Sequence, residues 1–287
     1  MTGKGKIGLV LEGGGMRSLF SAGIIDVMME HSIAVDALVG VSAGVAFGCN
    51  YKSGQIGRAL RYNVRFATDK RYSGWGSLLK TGNYFNAEFC YHRVPNHYDR
   101  FDAAAYEANP MLCYAVCTDI DTCQPVYHLC EKGDDETFEW IRASASMPVA
   151  ALPVEIGGQR LLDGGLTDSL PLRFMQEQGY SRNIVVLTRE RGYEKSPLRG
   201  AWLMRLLLRK YPQVVRLLQE RPAMYNEQLR YIQEQEAQGN TLVLAPEESL
   251  DIKRTCSDAV QMHRVYEIGR RLAQHRLADI RAFVSAE

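Results

Sequence analysis

Residues 36–44 read DALVGVSAG, a short apolar run that leads into a serine flanked by glycines. The run shows little polar alternation, as expected for a strand buried on both faces of a sheet. Residues 6–11 form a similar run, followed by Glu12, three glycines and a stretch with apolar residues at helical spacing. Two consecutive units of strand, turn and helix predict a parallel sheet between helical layers.

The rest of the chain extends this pattern. Further strands are predicted at 111–118, 124–129, 183–188 and 241–244, with a hairpin-like segment at 153–160. The predicted fold class is therefore α/β, with three α/β/α layers and a mostly parallel central sheet. No linker rich in Pro, Gly or Ser divides the chain, so we expect a single domain over 1–287.

Three regions lie outside the repeating units. Residues 65–101 are rich in aromatic and turn residues and are predicted to form a long connection with little regular structure. Residues 197–238 predict two helices separated near Pro212 or Pro222, and residues 256–284 predict one long helix. We expect a catalytic core over about 5–190 and a helical C-terminal extension over about 197–287.

Composition excludes several classes of function. The 34 basic and 33 acidic residues almost cancel, which argues against nucleic-acid binding. The seven cysteines are odd in number and include no C-x-x-C pair, so neither a disulfide framework nor a zinc site is predicted. No metal and no cofactor are expected. Residues 7–11 are too short an apolar run for a secretory signal, and no stretch reaches the ~18 apolar residues that span a bilayer. We expect a cytoplasmic protein.

The serine of the opening stretch is a candidate nucleophile. Gly40-Val41-Ser42-Ala43-Gly44 matches G-x-S-x-G between a predicted strand and a predicted helix. A sharp turn there exposes the hydroxyl and requires small neighbours, while the N-terminus of the helix favours developing negative charge. The alternative is an ordinary turn in which Ser42 only caps the helix.

The glycines after the first strand form a second candidate feature. In Gly13-Gly14-Gly15-Met16-Arg17, successive backbone N–H groups can point into one concavity and bind an anion or an oxyanion. A dinucleotide site is the competing interpretation, but its third glycine position holds Ser18.

A third candidate is the sequence Asp163-Gly164-Gly165, where the two glycines leave space beside the carboxylate. Taken alone, this sequence is also a common turn. Asp168 is a rival carboxylate, but its position before Pro171 is typical of the N-cap of the next helix. We assign Asp168 to structure and Asp163 to chemistry.

These three patterns, in this order, resemble the patatin-like phospholipase family, especially its bacterial members. The resemblance extends through residues 143–148 and 153–155 and covers roughly the first 190 residues, while the C-terminal third is similar to an extension in some bacterial members. Two positions depart from the family pattern. Many members have Asp in place of Glu12 and Gly in place of Ser18.

The resemblance implies a serine acyl-hydrolase that cleaves carboxylic esters of lipids with a Ser-Asp dyad. Ser42 would attack the ester, Asp163 would serve as base, and Gly13, Gly14 and Gly15 would form the oxyanion hole. Arg17, Gly40, Gly44, Gly164 and Gly165 would support this site, with Arg17 holding the loop in preference to a substrate phosphate. None of the six scattered histidines lies in a recognisable motif, so no third catalytic side chain is expected.

Two alternatives stay open at this point: a carboxylesterase for small soluble esters, and a non-catalytic nucleotide- or anion-binding protein that uses the glycine turn. The aromatic residues of 65–101 could line an acyl groove or simply pack under a long loop. Leucines and basic residues alternate over 199–210, which is suited both to peripheral contact with the inner membrane and to a packed helix with a solvated basic face. The sequence does not define the oligomeric state.

Overall fold

Eight strands form one sheet in the computed structural model, which describes residues 5–286. The strands are β1 (Ile7–Leu11), β2 (Ala37–Val41), β3 (Leu112–Asp119), β4 (Gln124–Leu129), β5 (Val154–Ile156), β6 (Gln159–Asp163), β7 (Arg182–Val186) and β8 (Thr241–Leu244). Hydrogen-bonded neighbours follow the order β5-β6-β3-β2-β1-β7-β8, in which β6 and β2 pair with different parts of the same edge of β3, and β4 pairs with its other edge. The five strands β3, β2, β1, β7 and β8 run parallel, whereas β4, β5 and β6 form antiparallel pairs. The predicted strands and the hairpin are confirmed.

Helices cover both faces of the sheet. They are α1 (Leu19–Glu30), α2 (Ala43–Lys52), α3 (Arg58–Phe66), α4 (Trp75–Thr81), α5 (Ala103–Ala108), α6 (Asp135–Ser144), α7 (Leu172–Glu177), α8 (Ala201–Leu207), α9 (Pro212–Ala237), α10 (Ala259–His275) and α11 (Leu277–Ser285). A π-helix spans Glu88–Tyr98. Short 3₁₀ turns follow β1 and β6 at Gly15–Ser18 and Gly164–Leu166.

Alternate residues of the central strands belong to two separate hydrophobic clusters. Leu9 and Leu11 of β1 pack with α1, α2, α6 and α10, whereas Val10 packs with α7 and α9. Because successive side chains of a strand point to opposite faces, each central strand contributes to both cores. The three-layer α/β/α fold with a mostly parallel sheet is confirmed.

The prediction for residues 65–101 was wrong. This region contains α4 and the π-helix, and only short connections lie between them. In α4, Trp75 and Leu79 are exposed, so its apolar residues give no sign of a buried face. The π-helix contains Pro95, and its wider turn does not follow the 3.6-residue period used to recognise helices.

The C-terminal helices differ from the prediction in two places. The break before Pro212 is confirmed, since proline is well tolerated at the first position of α9. Pro222, the alternative break, lies buried inside α9. The single helix predicted over 256–284 is two helices, α10 and α11, which meet at Arg276.

Two glycines allow α10 to lie directly against α1. A Cβ atom on Gly269 would clash with the carbonyl oxygen of Phe20, and one on Gly23 would clash with that of Tyr266. Tyr266 also donates a hydrogen bond of 2.6 Å to the buried carboxylate of Asp26. The C-terminal helices therefore pack tightly against the first helix of the sheet.

Replacing Gly269 with alanine tests this packing. Alanine normally favours a helix over glycine, but here the added methyl group has no room, so we expect a loss of about 1–3 kcal/mol in unfolding free energy by urea titration. Gly76 of α4 is the matched control, because a Cβ there meets open space. Gly76→Ala should be neutral or stabilising. Equal stability of Gly269→Ala and the wild type would contradict the close approach of the two helices.

Candidate active site

Ser42 lies on a strained turn between β2 and α2. Its φ of 56° and ψ of −128° are unusual for a residue with a side chain. A Cβ atom on Gly40 would lie 2.5 Å from the backbone nitrogen of Val45, and one on Gly44 would clash with the carbonyl oxygen of Leu11. The G-x-S-x-G spacing is therefore required by the close packing of this turn.

The ends of two strands bring Ser42 and Asp163 together. β2 pairs with β3 up to Val116, and β6 pairs with β3 from Asp119 back to Cys117. Since β4 occupies the opposite edge of β3, β2 and β6 lie end to end along one edge. Their carboxyl ends meet where Val116 adjoins Cys117. Ser42, which follows β2, and Asp163, which ends β6, therefore face each other across this junction.

The turn after α6 fixes both sides of the junction. The Ser144 hydroxyl accepts a hydrogen bond of 2.9 Å from the backbone N–H of Ser42 and donates one of 2.6 Å to the carbonyl of Val116. The backbone N–H of Asp163 donates to the carbonyl of Ser146, at 2.8 Å. Ser144 lies in the 143–148 stretch that carries the resemblance, but this role could not be predicted because its partners are distant along the chain.

The Asp163 carboxylate is buried beside Ser42. Its Oδ1 atom accepts a hydrogen bond of 2.8 Å from the backbone N–H of Gly165. Burial raises the pKa of this carboxyl, and the nearby Arg221 guanidinium and Ser42 hydroxyl partly oppose that effect. The carboxylate is thus a stronger base than an exposed aspartate.

Both glycines after Asp163 are needed at their positions. A Cβ atom on Gly164 would clash with the carbonyl of Val116, and one on Gly165 would lie 3.0 Å from Oδ1 of Asp163. Side chains at either position would push the carboxylate away from the strand junction.

The glycine turn lies against Ser42. A Cβ atom on Gly13 would be 2.8 Å from Cβ of Ser42. Among residues 5–286, no acceptor pairs with the backbone N–H groups of Gly13, Gly14 or Gly15. These three donors border the same cleft as Ser42 and Asp163 and are available to an anion.

Glu12 anchors this turn from behind. Its carboxylate accepts hydrogen bonds from the backbone N–H of Thr188, at 2.6 Å, and from the Tyr225 hydroxyl of α9, at 2.8 Å. Ser18 is fully buried, and its hydroxyl donates to the Glu12 carbonyl at 3.4 Å. Both residues that depart from the family pattern therefore hold the turn.

Arg17 lies beside the turn without holding it by side-chain hydrogen bonds. In the part of the chain that the structure describes, its guanidinium makes no hydrogen bond, and its Nε atom is fully buried without a partner. Burial, Arg189 and Arg254 lower the pKa of Arg17 to about 10. This arginine borders the cleft next to Ser42.

Asp168 makes hydrogen bonds that connect parts of the fold, but it does not cap the next helix as the sequence predicted. It accepts hydrogen bonds of 2.6 Å from the Tyr127 hydroxyl and from Nε2 of Gln228, whereas α7 begins after Pro171 without a side-chain cap. It therefore joins β4 to α9. None of the described histidines borders the cavities next to Ser42, and residues 5–286 contain no group of side chains suited to a metal ion.

An apolar cavity of about 150 Å³ opens on one side of Ser42. Residues of 65–101 form much of its wall, together with α2, α3 and α6, and the lining includes Phe47, Tyr62, Tyr84, Phe85, Tyr91, Val94 and Ile141. Phe66, Tyr72, Phe89 and Val94 also form a small hydrophobic cluster of their own. The aromatic segment therefore both lines the cavity and packs internally.

A smaller cleft of about 40 Å³ lies on the other side of Ser42. Besides the glycine turn and Asp163, it is bordered by Arg17, Lys195, Arg221 and Arg254. The last three come from the C-terminal part of the chain and were not identified from the sequence. Basic residues so far apart form no motif, and only the fold brings them together.

The basic segment 199–210 contains α8, which has no buried residue. Trp202 is 71% exposed, and Leu206 and Leu207 are also exposed, as are Arg205 and Arg209. Leu208 alone in this segment is buried. Within residues 5–286, no helix has the length and apolar character needed to cross a bilayer.

Removing the Ser144 hydroxyl tests how Ser42 is held. Ser144→Ala leaves the N–H of Ser42 and the carbonyl of Val116 buried without this partner, so we expect a loss of about 1–3 kcal/mol in unfolding free energy. Ser146→Ala is the control, because the Ser146 hydroxyl bonds only within its own helical turn, to the carbonyl of Arg142. Urea titration should show the larger loss for Ser144→Ala. Equal losses in the two variants would contradict a bridging role for Ser144.

Proteins similar to this chain include a bacterial protein, a fungal lysophospholipase and a protein of known structure. The uncharacterized protein YjjU of Escherichia coli strain K12 is 25% identical over 289 aligned residues, covering 96% of this chain and 78% of its own. Lysophospholipase NTE1 of Debaryomyces hansenii is 31% identical over 192 residues, which cover 63% of this chain and 12% of the NTE1 chain. This chain therefore corresponds to a small part of the NTE1 protein. The structure of VipD from Legionella pneumophila aligns with 96% of this chain at 11% identity and a TM-score of 0.48.

Two family models match different parts of the chain. Residues 211–285 match a model described as a domain of unknown function, DUF6363. Residues 9–175 match the model described as patatin-like phospholipase, which covers more than half of the chain and includes both Ser42 and Asp163. The chain thus belongs to the patatin-like phospholipase family of lipid hydrolases.

Proposed function

We propose that this protein is a serine acyl-hydrolase that cleaves carboxylic esters of lipids with a dyad of Ser42 and Asp163. The observation that carries the proposal is the meeting of the strained Ser42 turn with the buried Asp163 carboxylate, beside three backbone N–H groups that have no acceptor among the described residues 5–286. A nucleophile, a base and oxyanion donors are the three parts that acyl transfer requires.

The first half-reaction forms an acyl-enzyme. Oγ of Ser42 attacks the ester carbonyl carbon while Asp163 accepts the hydroxyl proton, and the carbonyl oxygen becomes an oxyanion near the N–H groups of Gly13, Gly14 and Gly15. The bond from the carbonyl carbon to the alcohol oxygen then breaks. The departing alcohol takes the proton from Asp163, so that the carboxylate is restored.

The second half-reaction releases the fatty acid. Asp163 removes a proton from a water molecule, whose oxygen attacks the acyl carbon. When the tetrahedral intermediate collapses, the bond to Oγ of Ser42 breaks and the proton on Asp163 returns to the serine. One water is consumed, and the free enzyme is regenerated.

The surroundings compensate for a weak base. An aspartate in water has a pKa near ~3.9 and is a poor acceptor for a hydroxyl proton. Burial raises the pKa of Asp163, and donors that are already in place lower the cost of forming the oxyanion. Proton transfer and oxyanion formation therefore support each other.

The apolar cavity favours a lipid over a small soluble ester. A cavity of about 150 Å³ with mostly aromatic and aliphatic walls, which borders Ser42 directly, suits an acyl chain. A small ester would leave most of these walls exposed to water. A dinucleotide has less support, because the cleft at the glycine turn is only about 40 Å³ and Ser42 lies against that turn.

Substitution of the dyad tests the mechanism. Ser42→Ala and Asp163→Asn should each lower kcat/KM on a nitrophenyl ester by at least ~10³-fold, because each removes a group that acts in the transition state. A fluorophosphonate probe should label the wild type and fail to label Ser42→Ala.

Asp168→Asn is the matched control. Its carboxyl contacts Tyr127 and Gln228 away from the cleft, so this variant should keep its turnover while its melting temperature falls. Near-wild-type turnover in a folded Asp163→Asn variant would exclude Asp163 as the base.

We also propose that α8 brings the protein to an anionic membrane surface, as expected for a cytoplasmic enzyme that acts at the inner membrane. Trp202, Leu206 and Leu207 form an exposed apolar set with Arg205 and Arg209 nearby in sequence. Apolar side chains that enter the headgroup region and cations that attract anionic lipids reinforce each other.

Apolar substitutions on α8 and added salt test this contact. Co-sedimentation with vesicles that contain phosphatidylserine should decrease in the double variant Trp202→Ser/Leu206→Ser, and it should weaken at high salt. The control pair Trp75→Ser/Leu79→Ser alters exposed apolar residues on α4, which has a single basic residue, Lys80. If the α8 variant binds vesicles as well as the wild type, α8 is not the contact.

A further inference from the structure

The cleft beside Ser42 is unusually rich in positive charge. We call it the basic cleft and define it by Arg17, Lys195, Arg221 and Arg254, together with Ser42 and the glycine turn. Only two carboxylates, those of Glu12 and Asp163, border it within the described residues. The four basic side chains and the two carboxylates together give the cleft a formal charge of +2.

The four cations have no carboxylate partners of their own. Within residues 5–286, no ion pair at 4.0 Å or less involves any of the four. Glu12 is engaged by Thr188 and Tyr225, and Asp163 by Gly165. Grouped cations without counterions are costly in a partly buried cleft and favour binding of an anion.

Three of these basic residues are held in place by contacts with the protein. Both backbone groups of Lys195 bond to the side chain of Asn226, and its ammonium lies 4.0 Å from the centre of the Tyr225 ring. Arg221 donates from Nε to the carbonyl of Gly165. The Arg254 carbonyl accepts from the N–H of Met16, at 3.1 Å. The arrangement is therefore prepared before any ligand binds.

Mutual repulsion among the cations is appreciable. Burial and the neighbouring Arg221 lower the pKa of Lys195 to about 7, and burial and Arg221 also lower the pKa of Arg254. A bound anion would relieve this repulsion and raise both values.

Ser42 lies between the apolar cavity and the basic cleft. Gly15, Ser42, Met147 and Arg254 border both the apolar cavity and the basic cleft. An ester whose carbonyl carbon is at Ser42 would therefore place its acyl chain in the apolar cavity and its alcohol part toward the basic cleft.

We propose that the basic cleft binds a phosphate monoester on the alcohol part of the substrate, so that the preferred substrate is an acylated glycerol phosphate with net negative charge. This inference rests on the proposed function. The cleft, at about 40 Å³, has space for roughly three water-sized groups, which suits a phosphate. Four converging cations favour a dianion over a zwitterionic headgroup.

This proposal also gives a role to the segment described as a domain of unknown function. Arg221 and Arg254 lie within residues 211–285, and Lys195 is held by Asn226 of the same segment. The segment supplies the selectivity of the site, and the core supplies its nucleophile and base.

Three lipids with the same acyl chain provide the test, each used below its aggregation concentration: 1-acylglycerol 3-phosphate, 1-acylglycerophosphocholine and 1-acylglycerol. The full-length wild type should have its highest kcat/KM on the phosphate monoester. In Lys195→Met and Arg254→Met, the ratio of kcat/KM for the phosphate monoester to that for 1-acylglycerol should fall roughly 10- to 100-fold. Lys195→Arg should largely restore it, and Arg216→Met on the exposed face of α9 should leave it unchanged.

The outcomes separate this inference from the proposed function. If the fluorophosphonate probe labels Ser42 and 1-acylglycerol is cleaved as efficiently as the phosphate monoester, or if neither methionine variant changes the ratio, the phosphate preference is wrong and the hydrolase assignment stands. If no ester is cleaved and Ser42 is not labelled, the proposed function fails. In that case, calorimetry with glycerol 3-phosphate tests the basic cleft by itself. Binding by the wild type that is lost in Arg254→Met supports the anion site. If the wild type does not bind glycerol 3-phosphate, or if Arg254→Met binds it equally well, the anion site is wrong.

Discussion

The meeting of β2 and β6 along one edge of β3 is the constraint on which the rest of the site depends. A parallel strand and an antiparallel strand end against each other there, so Ser42 and Asp163 become neighbours although they are far apart in the chain. Ser144 secures this junction by joining the backbone of Ser42 to β3. Because strand pairing is rigid, the proposed nucleophile and the proposed base are held without a third side chain between them.

The same junction explains the distribution of glycines. Gly13, Gly40, Gly44 and Gly164 each lie where a Cβ atom would contact the backbone or side chain of a neighbouring strand, turn or helix. A site assembled from strand ends brings several backbone segments closer together than side chains permit. The glycine spacing therefore reflects packing as well as chemistry, and this is why a short pattern can reveal so much of the fold.

Features with local sequence signals could be predicted. The strands were recognisable because apolar runs such as 36–41 end at turn residues, and the proximity of Ser42 to the glycine turn followed from parallel pairing of β1 with β2. The π-helix was missed because its period is unusual, and α4 was missed because its large apolar side chains, Trp75 and Leu79, face solvent. Periodicity reveals a helix only when one face of that helix is buried.

The basic cleft could not be predicted from the sequence, for a different reason. Arg221 lies in α9, whereas Lys195 and Arg254 lie in two separate loops, and the spacing of the three residues matches no local rule. Tyr225 shows why these elements must nevertheless act together with the core, since its hydroxyl bonds to Glu12 at the base of the glycine turn, and Met16 in that turn bonds to the carbonyl of Arg254. The glycine turn is thus held from both sides, by the sheet and by α9 together with the loop before α10. A change in α9 that moved Tyr225 would shift the glycine N–H groups and Arg221 together, so the proposed catalysis and the proposed selectivity would be coupled through a single hydrogen-bonded turn.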